Sequence, residues 1–363
     1  MKIALLGDMA LIGRYDRTLH DDVDKKIDAI RKILAGADYA IANLEAPFTD
    51  ASFTTKCKGV YLKTDPANVE TLKSLGITHV TLANNHIHDY GNRGAKQTVE
   101  TLQKAGIEYV GLGSHPKLLK KGNDRVLLDG FCCLSANAVK YGTDDKAVQE
   151  LTVEGLNSFL TQAEKENALP IASVHYGIEG LHYPSSEHLR LFRHFTKDHD
   201  YVLHGNHPHA MQGMEEKDGS LLIYSQGNLF FDEVTKTSIH TIPPETDEER
   251  KSIIVLLDIS GTKVTGYEVH AVTDLETYYP YESDAVKAEF EQYCAALHIP
   301  ESELEDLREQ ELKAQSANAP AHDFKFYRDR LNYQYLGAYL NGRRHAKKYR
   351  EFKNTIDREC NDD

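Results

Sequence analysis

The stretch Ile3-Ala4-Leu5-Leu6-Gly7-Asp8 opens the chain with four apolar residues, followed by a glycine and an acidic residue. A short apolar run bounded by glycine is typical of a buried β-strand. Residues 22–34 have helical periodicity, and a second apolar run at 39–42 predicts the next strand. Strand, helix and strand in this order indicate a βαβ unit with a largely buried sheet.

The same alternation continues along the chain and predicts an α/β fold. Apolar periodicity predicts helices over 66–75 and 94–105, and strands over 78–82 and 109–112. Further strands are predicted at 170–174, 201–203 and 221–224. Paired apolar runs predict one hairpin from 125–128 and 131–134, and another from 253–259 and 263–272. From Asp284 onward the chain is mostly helical and polar.

The composition is that of an ordinary globular protein. The 363 residues are 40% hydrophobic and 27% charged, and the formal net charge is −14. An acidic chain is a poor nonspecific binder of nucleic acid, because such binding needs a cationic surface. We therefore expect no nucleic-acid partner. A small anionic or phosphorylated substrate would need cations gathered locally, such as bound metal ions.

The cysteines and the hydropathy pattern predict a cytoplasmic location. Five cysteines form an odd set without CxxC spacing, which suits structural thiols in a reducing compartment: Cys57, Cys132, Cys133, Cys294 and Cys360. No apolar run approaches the ~18–20 residues of a membrane span. Because the first predicted strand begins at Lys2, we also expect no signal peptide.

Metal-type ligands follow five of the predicted strands. They lie in Leu6-Gly7-Asp8, Ala42-Asn43-Leu44-Glu45, Leu82-Ala83-Asn84-Asn85-His86, Ser173-Val174-His175-Tyr176-Gly177 and His204-Gly205-Asn206-His207-Pro208-His209. Each segment alone is weak, since an acidic residue after a strand is often a helix cap and a lone histidine is usually structural. Together they predict a metal site at the carboxyl edge of the sheet. Oxygen and nitrogen donors without thiolate favour Mn, Fe or Zn over Ca and Mg.

Two of these segments have a more specific interpretation. Glu45 is a carboxylate able to bridge two ions about 3.5–4 Å apart. We expect proline to hold His207-Pro208-His209 extended, so that both histidines project to one side and bind adjacent ions. In the Asn85-His86 pair, the amide oxygen is expected to bind metal while the imidazole faces the substrate.

The order of these motifs resembles a known family. Gly-Asp, Asn-Leu-Glu, Ala-Asn-Asn-His before Asp89-Tyr90-Gly91, His-Tyr-Gly-Ile-Glu, Gly-Asn-His-Pro-His, and the segment at 224–232 look like the CapA-type proteins of poly-γ-glutamate capsule synthesis. That family is similar to the calcineurin-like metallophosphoesterases. The resemblance implies a four-layer α/β/β/α sandwich over residues 1–275 as the catalytic domain, with a helical C-terminal extension at 276–363 packed on the core.

The resemblance also implies a role for each ligand. Asp8 and His209 would bind one ion, Glu45 would bridge, and His86 would donate a proton, while the second ion would be held by Asn85, His175 and His207. The wider superfamily usually has a histidine where this chain has Ala10. The first ion is therefore expected to have fewer ligands and weaker binding.

Two further residues have competing interpretations. Glu179 is either a contact to the substrate or to a ligand histidine, or a plain solvated carboxylate. Arg93 either binds an anionic group of the substrate or is a solvated arginine at the start of a helix.

The leading functional hypothesis is a metal-dependent hydrolase, most simply a phosphoesterase. In that hypothesis two divalent ions activate a bridging water, and His86 protonates the leaving oxygen. An alternative is an enzyme or assembly factor of poly-γ-glutamate synthesis that acts on γ-glutamyl bonds, with the polymer as its partner. A third is a non-catalytic binding component that kept the fold.

Overall fold

The computed structural model describes residues 1–52, 60–113, 115–136, 147–233, 246–318 and 333–360. In chain order the strands are β1 (Lys2–Met9), β2 (Tyr39–Leu44), β3 (His79–Thr81), β4 (Glu108–Val110), β5 (Lys117–Lys121), β6 (Asp124–Cys132), β7 (Leu169–His175), β8 (Val202–Asn206), β9 (Met214–Lys217), β10 (Ser220–Ile223), β11 (Asn228–Phe230), β12 (Lys251–Ser260), β13 (Lys263–Thr273) and β14 (Tyr281–Glu282).

The helices are α1 (Val23–Lys26), α2 (Asp28–Leu34), α3 (Val69–Leu75), α4 (Gly91–Ala105), α5 (Val153–Lys165), α6 (Ser186–Phe195), α7 (Asp284–Ala296), α8 (Glu301–Asn318) and α9 (Tyr333–Glu359). Short 3-10 turns occur at Gly13–Tyr15, Pro66–Asn68, Leu134–Ala136 and Glu248–Arg250. The predicted helix over 22–34 is thus divided at Ile27 into α1 and α2.

The strands form two sheets. The first has the order β14-β13-β12-β1-β2-β3-β4, and β11 pairs with the end of β1. The second has the order β5-β6-β7-β8-β10-β9. Strands β1 to β4 are parallel, as are β6, β7, β8 and β10, so the carboxyl ends within each group lie at one edge of their sheet.

Alternating side chains place the core on both faces of each sheet. Ile3 and Leu5 of β1 lie in a central core together with Val126 and Leu128 of β6. Ala4 and Leu6, which point the other way, pack instead with residues of helices α1 to α4. The second sheet is covered in the same manner by α5, α6, α8 and α9. The α/β class and the four-layer α/β/β/α arrangement are therefore confirmed.

Helices after residue 275 supply part of these cores. Val286 and Phe290 of α7 lie in the central core, where α7 packs on β13 and β9. Leu304 of α8 and Ile356 of α9 are buried in the core outside the second sheet. These buried side chains favour folding of the helical region together with the sheets.

The hairpin predicted from 125–128 and 131–134 is wrong. Residues 124–132 form the single strand β6, which pairs antiparallel with β5 and parallel with β7. Asp-Gly pairs are common in turns, but Gly130 lies where the two sheets approach closely, and a Cβ there would be 2.5 Å from Thr81 Oγ1. Asp129 is buried, and burial raises the pKa of its carboxyl to about 6.

Two further observations concern the cysteines and membranes. Among the described residues, Cys132, Cys133, Cys294 and Cys360 form no disulfide with one another, while Cys57 lies outside that part of the chain. In the described part of the chain, no helix combines the length and apolar character that crossing a bilayer requires.

Candidate metal centre

Asp8 stands at the carboxyl end of β1 and is completely buried. The chain reaches this position because Gly7 has no side chain, since a Cβ there would be 2.1 Å from the carbonyl oxygen of Gly227. One carboxylate oxygen accepts a hydrogen bond from Asn43 Nδ2 at 2.6 Å, and the other accepts one from the backbone N–H of His207 at 3.0 Å. Asp8 is thereby fixed between the two sheets.

His204 joins the two sheets directly beneath the site. Its Nε2 lies 2.9 Å from the carbonyl oxygen of Leu6, and its Nδ1 lies 3.1 Å from the hydroxyl of Ser173. Because a carbonyl only accepts, Nε2 donates and Nδ1 accepts from the serine. Burial lowers the pKa of His204 to about 4, so the ring is neutral at pH 7. This bond sets the position of β8 against β1 and hence of the ligands that follow each strand.

Glu45 follows β2 and lies at the centre of the site. Its side chain is completely buried, and one carboxylate oxygen has three imidazole nitrogens around it. Nε2 of His209 is 3.5 Å away, and Nε2 of both His86 and His175 is 3.8 Å away. These separations exceed a hydrogen bond. Those of His209 and His175 approach the roughly 3–3.5 Å expected between two ligands that each lie about 2.1 Å from one ion.

His175 ends β7 and faces residues of the first sheet. Its Nε2 lies 3.1 Å from Oδ1 of Asn85, and its Nδ1 lies 3.4 Å from Nδ2 of Asn43. Asn43 therefore contacts both Asp8 and His175. An amide oxygen and an imidazole nitrogen at this separation suit two ligands of one divalent ion.

The His207-Pro208-His209 segment turns sharply after β8, so the expectation of an extended backbone is wrong. His207 has a φ of 101° and His209 a φ of 56°, both in the left-handed region that non-glycine residues rarely adopt. The two rings nevertheless lie 5.8 Å apart. Strained backbone of this kind is concentrated at functional sites, where the surrounding structure holds it.

His209 is oriented by Asn228. Its Nδ1 lies 2.8 Å from Oδ1 of Asn228, so that its Nε2 is directed at Glu45. A ring N–H held by an amide oxygen leaves the opposite nitrogen as the metal-binding atom. Asn228 lies in β11, which pairs with β1 beside Asp8.

The side chains form three overlapping groups with the composition of metal sites. Within each group the ligand atoms lie within 4.8 Å of one another, and the groups are Asp8, Glu45 and His209; Glu45, His175 and His207; and Glu179, His207 and His209. The first two match the division between two ions that the family resemblance implies, with Glu45 common to both. The chemistry of these donors fits divalent ions, and the ligand roles themselves stay predictions.

The electrostatics of the site favour a cation. Burial raises the pKa of the Asp8 carboxyl. Burial disfavours the charged form of His209, but the carboxylates of Glu45 and Asp8 outweigh it and raise the pKa of His209 to about 9. The carboxylates of Glu45 and Asp8 thus share a buried site in which positive charge is stabilised.

His86 forms a pair with Asp89, a residue for which the sequence suggested no role. Nδ1 of His86 lies 2.6 Å from Oδ2 of Asp89, and both side chains are buried. The same carboxylate oxygen accepts the backbone N–H of Leu62 at 2.8 Å, which fixes its position. With Nδ1 held by Asp89, Nε2 of His86 faces Glu45. Asp89, Asn43 and Asn228 all lie within the sequence motifs quoted above. Their place in those motifs is the only feature of the sequence that could have marked them as residues of the site.

Glu179 and Arg93 occupy different surroundings. Glu179 lies on the loop after β7, and its carboxylate is in the third group with His207 and His209. Arg93 lies near the start of α4, where its side chain is 76% exposed and its guanidinium is 3.2 Å from Asp50. The structure thus brings Glu179, and not Arg93, to the ligand groups.

The amino-acid sequence that carries this site matches the profile of a known protein family. The sequence profile described as bacterial capsule synthesis protein PGA_cap matches residues 2–233, well over half of the chain. The chain belongs to this family. The match includes every proposed metal ligand, and the resemblance to CapA-type proteins is confirmed.

Two curated relatives of this PGA_cap protein come from bacilli. It is 25% identical over 243 residues to the PGA biosynthesis protein CapA of Bacillus subtilis strain 168. This alignment covers 64% of each of the two chains. It is 25% identical over 248 residues to the capsule biosynthesis protein CapA of Bacillus anthracis, covering 64% of this chain and 60% of the relative. The chain thus spans less than two thirds of the length of either relative. Among solved structures, the sulfate thiohydrolase SoxB of Thermus thermophilus in complex with glycerol matches with a TM-score of 0.42 at 12% identity, covering 82% of this chain and 47% of that one.

His182 lies on the loop after β7 and contacts helices α7 and α8 in the C-terminal part of the chain. Its backbone N–H and its Nδ1 both contact the carboxylate of Glu311 on α8, at 3.0 and 2.9 Å. Its Nε2 lies 3.2 Å from Glu248, and its ring stacks on Tyr293 of α7 at 4.8 Å. Burial disfavours the imidazolium, but the two carboxylates outweigh it and raise the pKa of His182 to about 9.

We expect His182→Gln to destabilise the fold at pH 6 by about 1.5–3 kcal/mol, the usual worth of hydrogen bonds to charged groups. A histidine with a raised folded-state pKa stabilises fully below its unfolded value near 6.5, and this contribution is lost as the pH rises through about 9. Urea unfolding at pH 6 and pH 10 measures the difference, with the exposed His298→Gln as control. An equal loss at both values would mean that His182 acts only by packing on Tyr293.

Proposed function

We propose that this protein is a metal-dependent hydrolase of phosphoric esters. The observation that carries the proposal is the convergence of two ligand groups on the buried carboxylate of Glu45, beside the pair formed by His86 and Asp89. A site of this kind suits a small anionic substrate. The protein as a whole carries a net charge of −14, so the attraction for an anion has to arise at the site.

Each side chain has a definite task in this proposal. Two divalent ions, when bound, would lower the pKa of a coordinated water and offset the charge that develops on phosphoryl oxygens. Asp8 and His209 would hold one ion and Glu45 both, and the other ion would be held by Asn85, His175 and His207. His86 would give a proton from Nε2 to the leaving oxygen, and Asp89 would keep the proton of Nδ1 in place.

Reconstitution of metal-stripped protein tests this function. We expect hydrolysis of an aryl phosphate or a bis-aryl phosphate after addition of Mn²⁺, Fe²⁺ or Zn²⁺, and no turnover in the presence of a chelator. The preferred ester class would identify the protein as a monoesterase or a diesterase. A fully metallated protein that hydrolyses neither ester would refute the phosphoesterase proposal.

A second candidate function is supported by the family itself. Its description refers to capsule synthesis, and the Bacillus subtilis relative is a PGA biosynthesis protein. The same residues would then act on the γ-glutamyl bonds of a polymer, or assist its assembly. Release of glutamate from poly-γ-glutamate, measured with the same metals and set against ester hydrolysis, separates the two functions.

A further inference from the structure

The two proposed ions differ in the number of protein ligands available to them. Glu45, Asn85, His175 and His207 provide four donors for one ion, whereas Asp8, Glu45 and His209 provide three for the other. An ion with fewer fixed ligands binds more weakly unless another group completes its shell. A further donor near His209 would therefore change the balance between the two ions.

We propose that Glu179 is a further ligand of the ion held by Asp8 and His209, and that helix α8 holds it in place. This inference rests on the metal centre of the proposed function. It assigns a direct role to Glu179, for which the sequence allowed either a functional contact or a solvated carboxylate. It also gives a role at the site to a helix that lies beyond the residues matched by the family profile.

The position of Glu179 supports a ligand role. A carboxylate oxygen of Glu179 lies within 4.8 Å of ligand atoms of both His207 and His209. Glu45 and Asp8 are buried on the protein side of this group, whereas Glu179 is exposed and approaches from the solvent side. Glu179 would therefore add a ligand from the solvent side.

Glu179 is carried by a short loop with fixed ends. The loop begins after His175, the last residue of β7, and the N–H of Gly180 donates a hydrogen bond to the carbonyl oxygen of Pro208 at 2.7 Å. Pro208 lies between the two ligand histidines His207 and His209. The loop and the His207-Pro208-His209 segment are therefore joined at the point where Glu179 faces the site.

Helix α8 holds the outer side of this loop. Nε2 of Gln315 donates a hydrogen bond to the carbonyl oxygen of Glu179 at 2.9 Å. One turn earlier on the same helix, Glu311 accepts from the backbone N–H of His182 and contacts its ring. Two contacts from one helix face thus fix the backbone on both sides of Gly180. The backbone that carries the Glu179 side chain is therefore already ordered. Less conformational entropy is lost when Glu179 binds an ion than would be lost from a mobile loop.

Titration of the metal-stripped full chain with Mn²⁺ by calorimetry tests the proposal. We expect two binding events in the parent protein, and a loss of at least about tenfold in the affinity of one of them in Glu179→Gln. The event that weakens should be the one that His209→Ala removes. Gln315→Ala should weaken the same event about two- to tenfold, the worth of one hydrogen bond.

Matched controls separate ligation from general charge effects. Gln310→Ala and Glu303→Gln change exposed residues of the same helix and should leave both affinities unchanged. At about 1 M salt the Debye length falls to about 3 Å, so the effect of a charge that does not bind the ion should vanish, whereas that of a ligand should persist. Unchanged titration of Glu179→Gln, or equal weakening of both events, would overturn the proposal. A parent protein that binds no ion would instead refute the metal centre itself.

Discussion

Replacing Glu45 with alanine is expected to abolish both metal-binding events and all hydrolytic activity. One oxygen of this buried carboxylate lies 3.5 to 3.8 Å from three imidazole nitrogens, and the residue belongs to both central ligand groups. Loss of a shared ligand affects both ions, and it removes the carboxylate that lies among the three imidazoles. Calorimetric titration with Mn²⁺, together with metal content after dialysis, measures the result.

Variants that are expected to affect only one of the two ions provide the comparison for Glu45→Ala. His209→Ala should remove only the weaker event, because His209 belongs to the group with fewer ligands, whereas His207→Ala should disturb the tighter one. Thermal unfolding of the metal-free variants checks that each still folds. Retention of one full-affinity site in Glu45→Ala would show that this carboxylate does not bridge the ions. The reverse pattern for the two histidines would show that the ligands belong to the other ion.

The strands were predictable because their cause is local. Buried parallel strands are continuous apolar runs, and Lys2–Met9, Tyr39–Leu44 and Leu169–His175 are found close to where the pattern placed them. The failure at Asp129-Gly130 has a non-local cause. That pair has the composition of a turn, but it lies inside a strand because the opposite sheet comes within contact distance of Gly130.

The candidate ligands were predictable for a related reason, because they follow strands whose ends share an edge. Their partners were not. Nothing in the sequence indicates that Asp89 holds His86, that Asn228 holds His209, or that Gln315 reaches the loop of Glu179, since the last pair is separated by 136 positions along the chain. The contact of Gln315 depends on how whole layers pack, whereas the pairing of His86 with Asp89, three positions along, depends on the conformation of the turn between them. The apolar pattern of the sequence reports on neither.

Replacing His86 with alanine is expected to lower turnover of an alkyl phosphate by about 10²–10⁴-fold, the usual worth of a positioned acid, while the fold and most of the bound metal are kept. His86 is buried, its Nδ1 is held by Asp89, and its Nε2 faces Glu45. It does not belong to the ligand groups found among the described residues. Steady-state kinetics and metal analysis on the same sample measure both quantities. Loss of metal together with activity would make His86 a ligand rather than an acid.

The leaving group of the substrate provides the sharper test of this role. An alkoxide must be protonated as it departs, whereas a nitrophenolate departs with little help, so the loss in His86→Ala should be large for an alkyl phosphate and small for a nitrophenyl phosphate. Asp89→Asn keeps the size of the side chain but removes the charge that holds the Nδ1 proton, and it should show the same dependence with a smaller loss of about 10–100-fold. A loss in both variants that is equal for the two esters would mean that His86 and Asp89 position the substrate or the metal and transfer no proton.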